Sequence, residues 1–272
     1  QADEAGESVS RTLEYAYDDW CVAQVAKYLM ETTGPGGDKY DAYKEIYDNY
    51  MTSCQYWRNL FDPVTGVVRP RANGRWLEPF DPYEASGHFT EGNAWHYLWH
   101  VLQDPEDLIA LLGGPEKTVE RLDTLFEVSV PASVTGEASD ITGLIGQYSH
   151  GNEPCHQVAY LYDYIGKPEK TRTVVKEILL SEYRNTPGGL SGNDDTGQMS
   201  AWYIFTAMGF YPVCPGSGEY ALGVPAFERV TIHLENGRDF TISRSSDARG
   251  PRRPFLKHRR ILRGGRLVLP SE

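Results

Sequence analysis

Long apolar runs are missing from this 272-residue sequence. Nowhere does it hold the roughly 18 consecutive apolar residues that mark a membrane-crossing helix, so no segment is expected to span a bilayer. Cysteine is scarce. Cys21, Cys54, Cys155 and Cys214 lie far apart and form no CxxC pair, which excludes a zinc ribbon or a redox dithiol and leaves two disulfides or four free thiols open. Positive charge is in deficit, with 26 Lys and Arg against 38 Asp and Glu and a formal net charge of −12. That balance argues against nucleic acid as a partner, because binding a phosphate backbone needs clustered cations. The exception is the stretch from Arg249 to Arg266, where Arg249, Arg252, Arg253, Lys257, Arg259, Arg260, Arg263 and Arg266 concentrate; it reads as a solvated face. The polar start Gln1-Ala2-Asp3-Glu4 is no signal peptide and reads as the interior of a longer chain.

Core-forming residues are plentiful. Hydrophobic residues make up 40% of the chain, and aromatics 12%, with 18 Tyr and 6 Trp, enough to fill helix interfaces and leave some rings for stacking on sugars. Apolar residues at three- and four-residue steps predict helices over Val9 to Met30 and Asp38 to Leu60. Residues 63 to 88, rich in Pro, Gly and Arg, predict a long loop with short extended pieces, and loops of that length are commonly functional. Helical patterns resume at Gly92 to Leu102, Pro105 to Leu112, Pro115 to Val128, Pro154 to Ile165, Pro168 to Tyr183 and Thr196 to Met208, several opened by a proline suited to a first turn. After Tyr211 the period becomes two. Tyr220 to Val224, Val230 to Leu234, Phe240 to Ile242 and Arg266 to Leu269 alternate like short strands. The expectation is a mainly α chain, helical over 1–210, with a small C-terminal antiparallel β region over 211–272.

Two loops concentrate acids where helices should begin. Phe89-Thr90-Glu91-Gly92-Asn93-Ala94-Trp95 sets Glu91 before an aromatic segment, and Gly192-Asn193-Asp194-Asp195 sets two adjacent acids before another. Hydrolysis of a glycosidic bond needs one carboxyl to protonate the leaving oxygen and a second to activate water. A divided carboxylate site of this kind makes carbohydrate hydrolysis the leading reading. Asp is also a strong helix cap, so one of the adjacent pair is expected to cap while the other stays available. His150 and His156 stand six residues apart with Pro154 between them, a spacing that does not fit a zinc pair on one helical face.

With Ser10-Arg11-Thr12-Leu13-Glu14-Tyr15-Ala16-Tyr17-Asp18-Asp19-Trp20, with His150-Gly151-Asn152-Glu153-Pro154, and with Thr196-Gly197-Gln198-Met199-Ser200-Ala201-Trp202-Tyr203 continuing the second acidic loop, the chain resembles glycoside hydrolase family 92, the calcium-dependent exo-acting α-mannosidases. The segments occur in family order over about residues 8 to 243; beyond Ser243 the tail looks shortened and basic. The resemblance implies a partial (α/α)6 toroid followed by the β region. It also implies an N-terminal β-sandwich that this chain lacks, belonging to a longer chain or a partner chain.

The same resemblance implies an inverting reaction on mannose-containing glycans, with Glu91 as general acid and the base at Asp194 or Asp195, Asp195 being favoured. Burial among Phe89, Trp95 and Tyr97 is expected to raise the Glu91 pKa. Inversion implies carboxyls roughly 6.5–9.5 Å apart. Calcium, which takes oxygen ligands, is implied at Asn152, Glu153, Gln157 and Asp195, where it would bind two mannose hydroxyls and help distort the ring. Gln157 stands where the family often has His, and Thr196 where it often has Cys; neither removes a proposed catalytic carboxyl. Asp18, Asp19, Trp20, Trp95, Arg69 and Arg71 are candidates for sugar contacts. An extracellular or periplasmic location follows from the resemblance. A second reading is a non-catalytic glycan-binding or assembly subunit of a larger mannosidase. A purely structural helical scaffold would have no need of the two acidic loops.

Overall fold

The computed structural model describes residues 6–85, 87–129, 140–248 and 254–271. Arg249, Arg252 and Arg253 of the basic run lie outside the described residues. Residues 6–104 form one compact unit, and 105–129 with 140–271 form another.

The first unit is built on α1 (Ser8–Thr33) and α2 (Tyr40–Ser53). Helix α1 buries Leu13, Ala16, Ala23 and Ala26 and ends at Gly34, whose φ of 75° lets its N–H reach back to the Met30 carbonyl. The helix expected to run to Leu60 stops at Ser53. A tighter 3-10 turn over Tyr56–Leu60 follows and buries Trp57 and Leu60, whereas α2 itself buries nothing. The 63–88 segment contains short ribbons, as its composition predicts. β1 (Phe61–Asp62) pairs with β2 (Val67–Val68), and β3 (Arg71–Ala72) pairs with β4 (Arg75–Trp76). Asn73 and Gly74 make the second turn with φ of 51° and 74°, as a two-residue hairpin requires. The predicted helix from Gly92 shrinks to one turn, α3 (Ala94–Tyr97). Every residue from Gly92 to Trp99 is buried, and a run buried on all sides gives no helical period to read.

The second unit begins with α4 (Pro105–Leu111) and α5 (Pro115–Glu127), followed by the ribbon of β5 (Leu144–Ile145) with β6 (Tyr148–Ser149). The helix expected over Pro154 to Ile165 is broken into 3-10 turns at Glu153–Cys155 and Val158–Tyr160 and the single turn α6 (Leu161–Tyr164). Side chains take the carbonyls a continuous helix would use: Gln157 Nε2 donates to Pro154 O at 2.8 Å, and Trp202 Nε1 to His156 O at 2.9 Å. Helices α7 (Pro168–Ser181) and α8 (Gln198–Met208) complete the helical part.

Three strands, β7 (Phe210–Tyr211), β8 (Glu219–Leu222) and β11 (Phe255–Lys257), form an antiparallel sheet in the order β11-β8-β7. A second sheet has the order β12-β10-β9, from β9 (Arg229–His233), β10 (Asp239–Ser245) and β12 (Gly265–Pro270). Here the antiparallel expectation needs correction, because β12 runs parallel to β10. The connection between them carries β11 and the short α9 (His258–Leu262), the length a crossover between parallel strands demands. Phe210, Leu222, Phe240, Ile242, Leu256 and Leu267 make the core of this part. Lys257, Arg259, Arg260, Arg263 and Arg266 are exposed. All four cysteines are free, and among the described residues no helix is long and apolar enough to cross a membrane.

Arg69, a sugar-contact candidate, is buried in its own loop. Its guanidinium bonds Asp62 at 3.1 Å, the Leu77 carbonyl at 2.7 Å, and Glu78. Burial alone would raise the Asp62 pKa, but the Val64 N–H and Arg69 outweigh it and hold it below the usual value. Removing one partner of a buried pair strands the other charge. Arg69→Gln is therefore expected to cost about 3 kcal/mol of stability, read as a lowered midpoint in denaturant unfolding; an unchanged midpoint would contradict the assignment.

Candidate active site

Glu91 sits on a loop that α1 holds in place. The His88 carbonyl accepts the Val9 N–H at 3.0 Å, serving one of the unpaired donors at the start of the helix, and Ser10 Oγ accepts the Thr90 N–H at 2.8 Å. Glu91 follows at φ 49°, in the left-handed region that costs a non-glycine residue roughly 1 kcal/mol or more. A Cβ on Gly92 would stand 3.2 Å from both the His96 and Tyr97 rings, so glycine lets the loop lie against them. Asn93 then caps α3: its Oδ1 accepts the Trp95 and His96 N–H groups at 3.0 and 3.1 Å, and its own N–H donates to His96 Nδ1.

The burial expected for Glu91 is not found. Phe89, Trp95 and Tyr97 are buried, but Glu91 is exposed, because the chain turns at Glu91 before the buried segment begins. The half-buried carboxyl belongs to Glu14, one turn after Ser10 on the same face of α1. Tyr97 Oη donates to Glu14 Oε1 at 3.0 Å. Burial raises the Glu14 pKa; the Tyr97 bond opposes this, and the charges of Asp18, Glu7 and Glu91 add to it. The sequence held a signal for Glu14 in its i, i+4 relation to Ser10, but the motif read only as a helix start. Asp18, a further turn along, is exposed, and Asp19 and Trp20 are partly so. Trp95 is buried against Tyr83, with ring centroids 5.7 Å apart. The Arg71 guanidinium lies 3.9 Å from the centre of the Trp76 ring.

In the second unit two loops are pressed together through glycines. A Cβ on Gly192 would stand 2.4 Å from the Gly151 carbonyl oxygen and 2.7 Å from its Cα. The contact sets Asn152 and Glu153, next to Gly151, beside the loop that carries Asp194 and Asp195. Those acids play different parts. Asp194 accepts the Ser200 N–H at 2.9 Å and the Ser200 hydroxyl at 3.1 Å, and its carbonyl accepts the Gly197 and Met199 N–H groups. It ties down the start of α8. The Asp195 carbonyl accepts the Gln198 N–H, but its carboxyl makes no hydrogen bond or ion pair among the described residues; the residue is exposed and has φ 41°, followed by Thr196 at 61° and Gly197 at 95°. Gln157, with its Nε2 on Pro154, and Asn152 are both buried.

A buried aromatic cluster supports these loops. Tyr183 Oη donates to Met199 O at 3.0 Å, so it accepts from His150 Nε2–H at 2.8 Å, and His150 Nδ1 accepts from Tyr148 at 2.7 Å. His156 Nε2–H donates to His150 O at 3.0 Å, with Gln198 on its Nδ1 at 3.3 Å. Trp202 packs edge-on against His150, with centroids 4.4 Å apart. Burial, with His156 nearby, pushes the His150 pKa down to about 2. Burial, opposed by the bond to His150, pushes His156 down to about 4. Tyr148, Tyr183, Gln198 and Ser200 were not singled out in the sequence, where nothing local distinguishes them from other core or helix residues.

In each unit an exposed acid, Glu91 or Asp195, sits on a left-handed turn. Residues 1–269 match the family model of the glycosyl hydrolase family 92 catalytic domain, and the chain belongs to that family. The match extends past Ser243, where the likeness read from the sequence had ended. A protein of Arthroderma benhamiae described as an uncharacterized secreted glycosidase is 30% identical over 260 residues, 86% of this chain and 30% of that protein. A family GH92 α-mannosidase of Bacteroides thetaiotaomicron, solved with mannoimidazole, superposes with a TM-score of 0.87 at 38% identity, covering 99% of this chain and 37% of the other. A family GH92 inverting mannosidase of Bacteroides thetaiotaomicron VPI-5482 gives 0.82 at 37%, covering 98% and 38%. The chain thus spans between 30% and 38% of these relatives.

The two buried histidines link stability to pH. Unfolded, each takes a proton near pH 6.5; folded, His156 resists to about 4 and His150 to about 2. Between those values the unfolded state binds more protons, so stability falls as pH falls. Asp163, buried with its carboxyl pushed up to about 8, acts oppositely, adding stability as pH falls toward 4. The test is therefore a difference in slopes. Between pH 6 and 5 the parent should lose about 1.4 kcal/mol per pH unit relative to His156→Gln in denaturant unfolding. Parallel pH profiles would contradict the buried neutral imidazole.

Proposed function

We propose that the chain carries the acid and base of an exo-acting α-mannosidase that works with inversion on mannose-containing glycans, as part of an (α/α) toroid. The observation that carries the reading is the division of labour in the second acidic loop: the Asp194 carboxyl is bound to Ser200, while the Asp195 carboxyl, on a left-handed turn, is unengaged among the described residues. A general base needs a carboxylate that no helix start has claimed, and Asp195 meets that need. In the reaction, Asp195 takes a proton from water as its oxygen attacks the anomeric carbon. Glu91 gives its proton to the departing glycosidic oxygen, whose bond to that carbon breaks.

The donor set at Asn152, Glu153, Gln157 and Asp195 offers amide and carboxylate oxygens alone, which suits a hard cation. Among the described residues no group of three His, Cys, Asp or Glu stands ready to hold a metal, so two amides beside two carboxylates would leave the remaining positions to water or sugar hydroxyls. Bound there, calcium would supply positive charge for orienting mannose hydroxyls. Asp18, Asp19 and Trp20 are proposed to meet the sugar, and the secreted relative favours action outside the cell.

Mannose release from α-mannobiose by the purified chain tests the reading. The expected result is release that a chelator abolishes, with the β-anomer appearing first by proton NMR, and a loss of about 10²-fold or more in Glu91→Gln. First release of the α-anomer would contradict inversion. A folded chain that binds glycans without releasing mannose would favour the non-catalytic reading.

A further inference from the structure

The basic tail that played no part in the carboxylate chemistry contributes to a cavity of its own. An open pocket of about 950 Å³ is lined by four cations, Lys176, Arg229, Arg244 and Arg266, against one carboxylate, Glu228. None of its lining residues belongs to the candidate active site. The four come from separate elements, α7, β9, β10 and β12, so they meet through the fold and not through a run of sequence.

Strand register explains the convergence. On β10, Phe240 and Ile242 point into the core, so Thr241, Ser243 and Ser245 share the opposite face. Arg229 on β9 lies directly across from Ser243, and Arg266 on β12 lies across from Thr241. Two guanidiniums thus flank one row of hydroxyls from either side. Arg266 already reaches into that row, its Nε and Nη2 standing 3.3 and 3.2 Å from Ser243 Oγ, and Ser243 is 5% exposed. A neutral hydroxyl is a modest partner for a group that prefers two oxygens of a carboxylate or phosphate.

Charge makes the same point. The chain as a whole has 12 more acids than bases, yet among the described residues none of these four cations is in an ion pair. Like charges gathered around one opening repel, and an anion of charge two relieves all of them together. Arginine forks with serine hydroxyls match the donors that a tetrahedral oxyanion accepts.

We propose that this pocket binds a tetrahedral oxyanion of the phosphate type, either free or as the phosphate ester of a sugar. The inference does not depend on the mannosidase reading. The test is calorimetric titration of the folded chain with inorganic phosphate, then with glucose 6-phosphate, against sodium chloride at matched ionic strength. Saturable binding of either phosphate is expected, weakened tenfold or more in the double variant Arg229→Gln/Arg266→Gln. Ser243→Ala, which leaves every charge in place, should weaken it several-fold. Tighter binding of the ester would identify a sugar phosphate as the source, and equal binding would identify free phosphate. Heat no different from chloride, or affinity unchanged in the double variant while its melting curve matches the parent, would overturn the proposal.

Discussion

The backbones of Gly151 and Gly192 touch so closely that neither the segment carrying Asn152 and Glu153 nor the acidic loop could be where it is if either residue had a side chain. At Gly192 a Cβ would overlap the Gly151 backbone; at Gly151 it would stand 1.9 Å from Thr142 Oγ1. The contact holds because both loops rest on one cluster. His150 is fixed from two sides by tyrosine hydroxyls, and Trp202 of α8 donates to the carbonyl of His156. The bonds from Tyr183 and Trp202 cross between stretches of sequence 33 and 46 residues apart. They turn two loops into one surface, which is what a site with fixed donor oxygens requires.

The first unit solves a similar problem differently. Glu91 is held by helix α1, through Ser10 on the Thr90 amide and through Glu14 on the hydroxyl of Tyr97. In both units an acidic residue, Glu91 or Asp195, sits at positive φ beside glycine-containing turns. Strain of this kind persists only where surrounding bonds fix it, and in both places those bonds are present. The carboxyls stay outside while the aromatic residues around them go in.

Much of this was legible in the chain. Helices opened by Pro105, Pro115 and Pro168 begin at those residues, because proline at a first turn is a local signal. Strands β8, β9, β10 and β12 begin within a residue of the expected starts, because alternation records which face is buried, but β10 runs three residues past Ile242 and β11 was not expected. The failures are equally physical. The segments after Gly92 and Pro154 are buried on all sides, which erases the period that distinguishes a long helix from a broken one. Arg69 looked like a hand for sugar hydroxyls because nothing local announces that Asp62 and Glu78 will close on it. The pairing of β12 with β10 depended on a crossover, which is invisible in alternation. The motifs placed the acids, but which acid caps and which stays unengaged is decided by Ser200.

That assignment is the centre of the account, since the chemistry proposed for Asp195 depends on Asp194 being held elsewhere. The most direct measurement compares Asp194→Asn with Asp195→Asn for both thermal stability and the rate of glycoside cleavage. Asp195→Asn is expected to keep the parent's melting temperature and lose the rate, whereas Asp194→Asn is expected to lower the melting temperature and keep a measurable rate below it. The opposite pattern, with Asp194→Asn stable but inactive and Asp195→Asn still active, would contradict it.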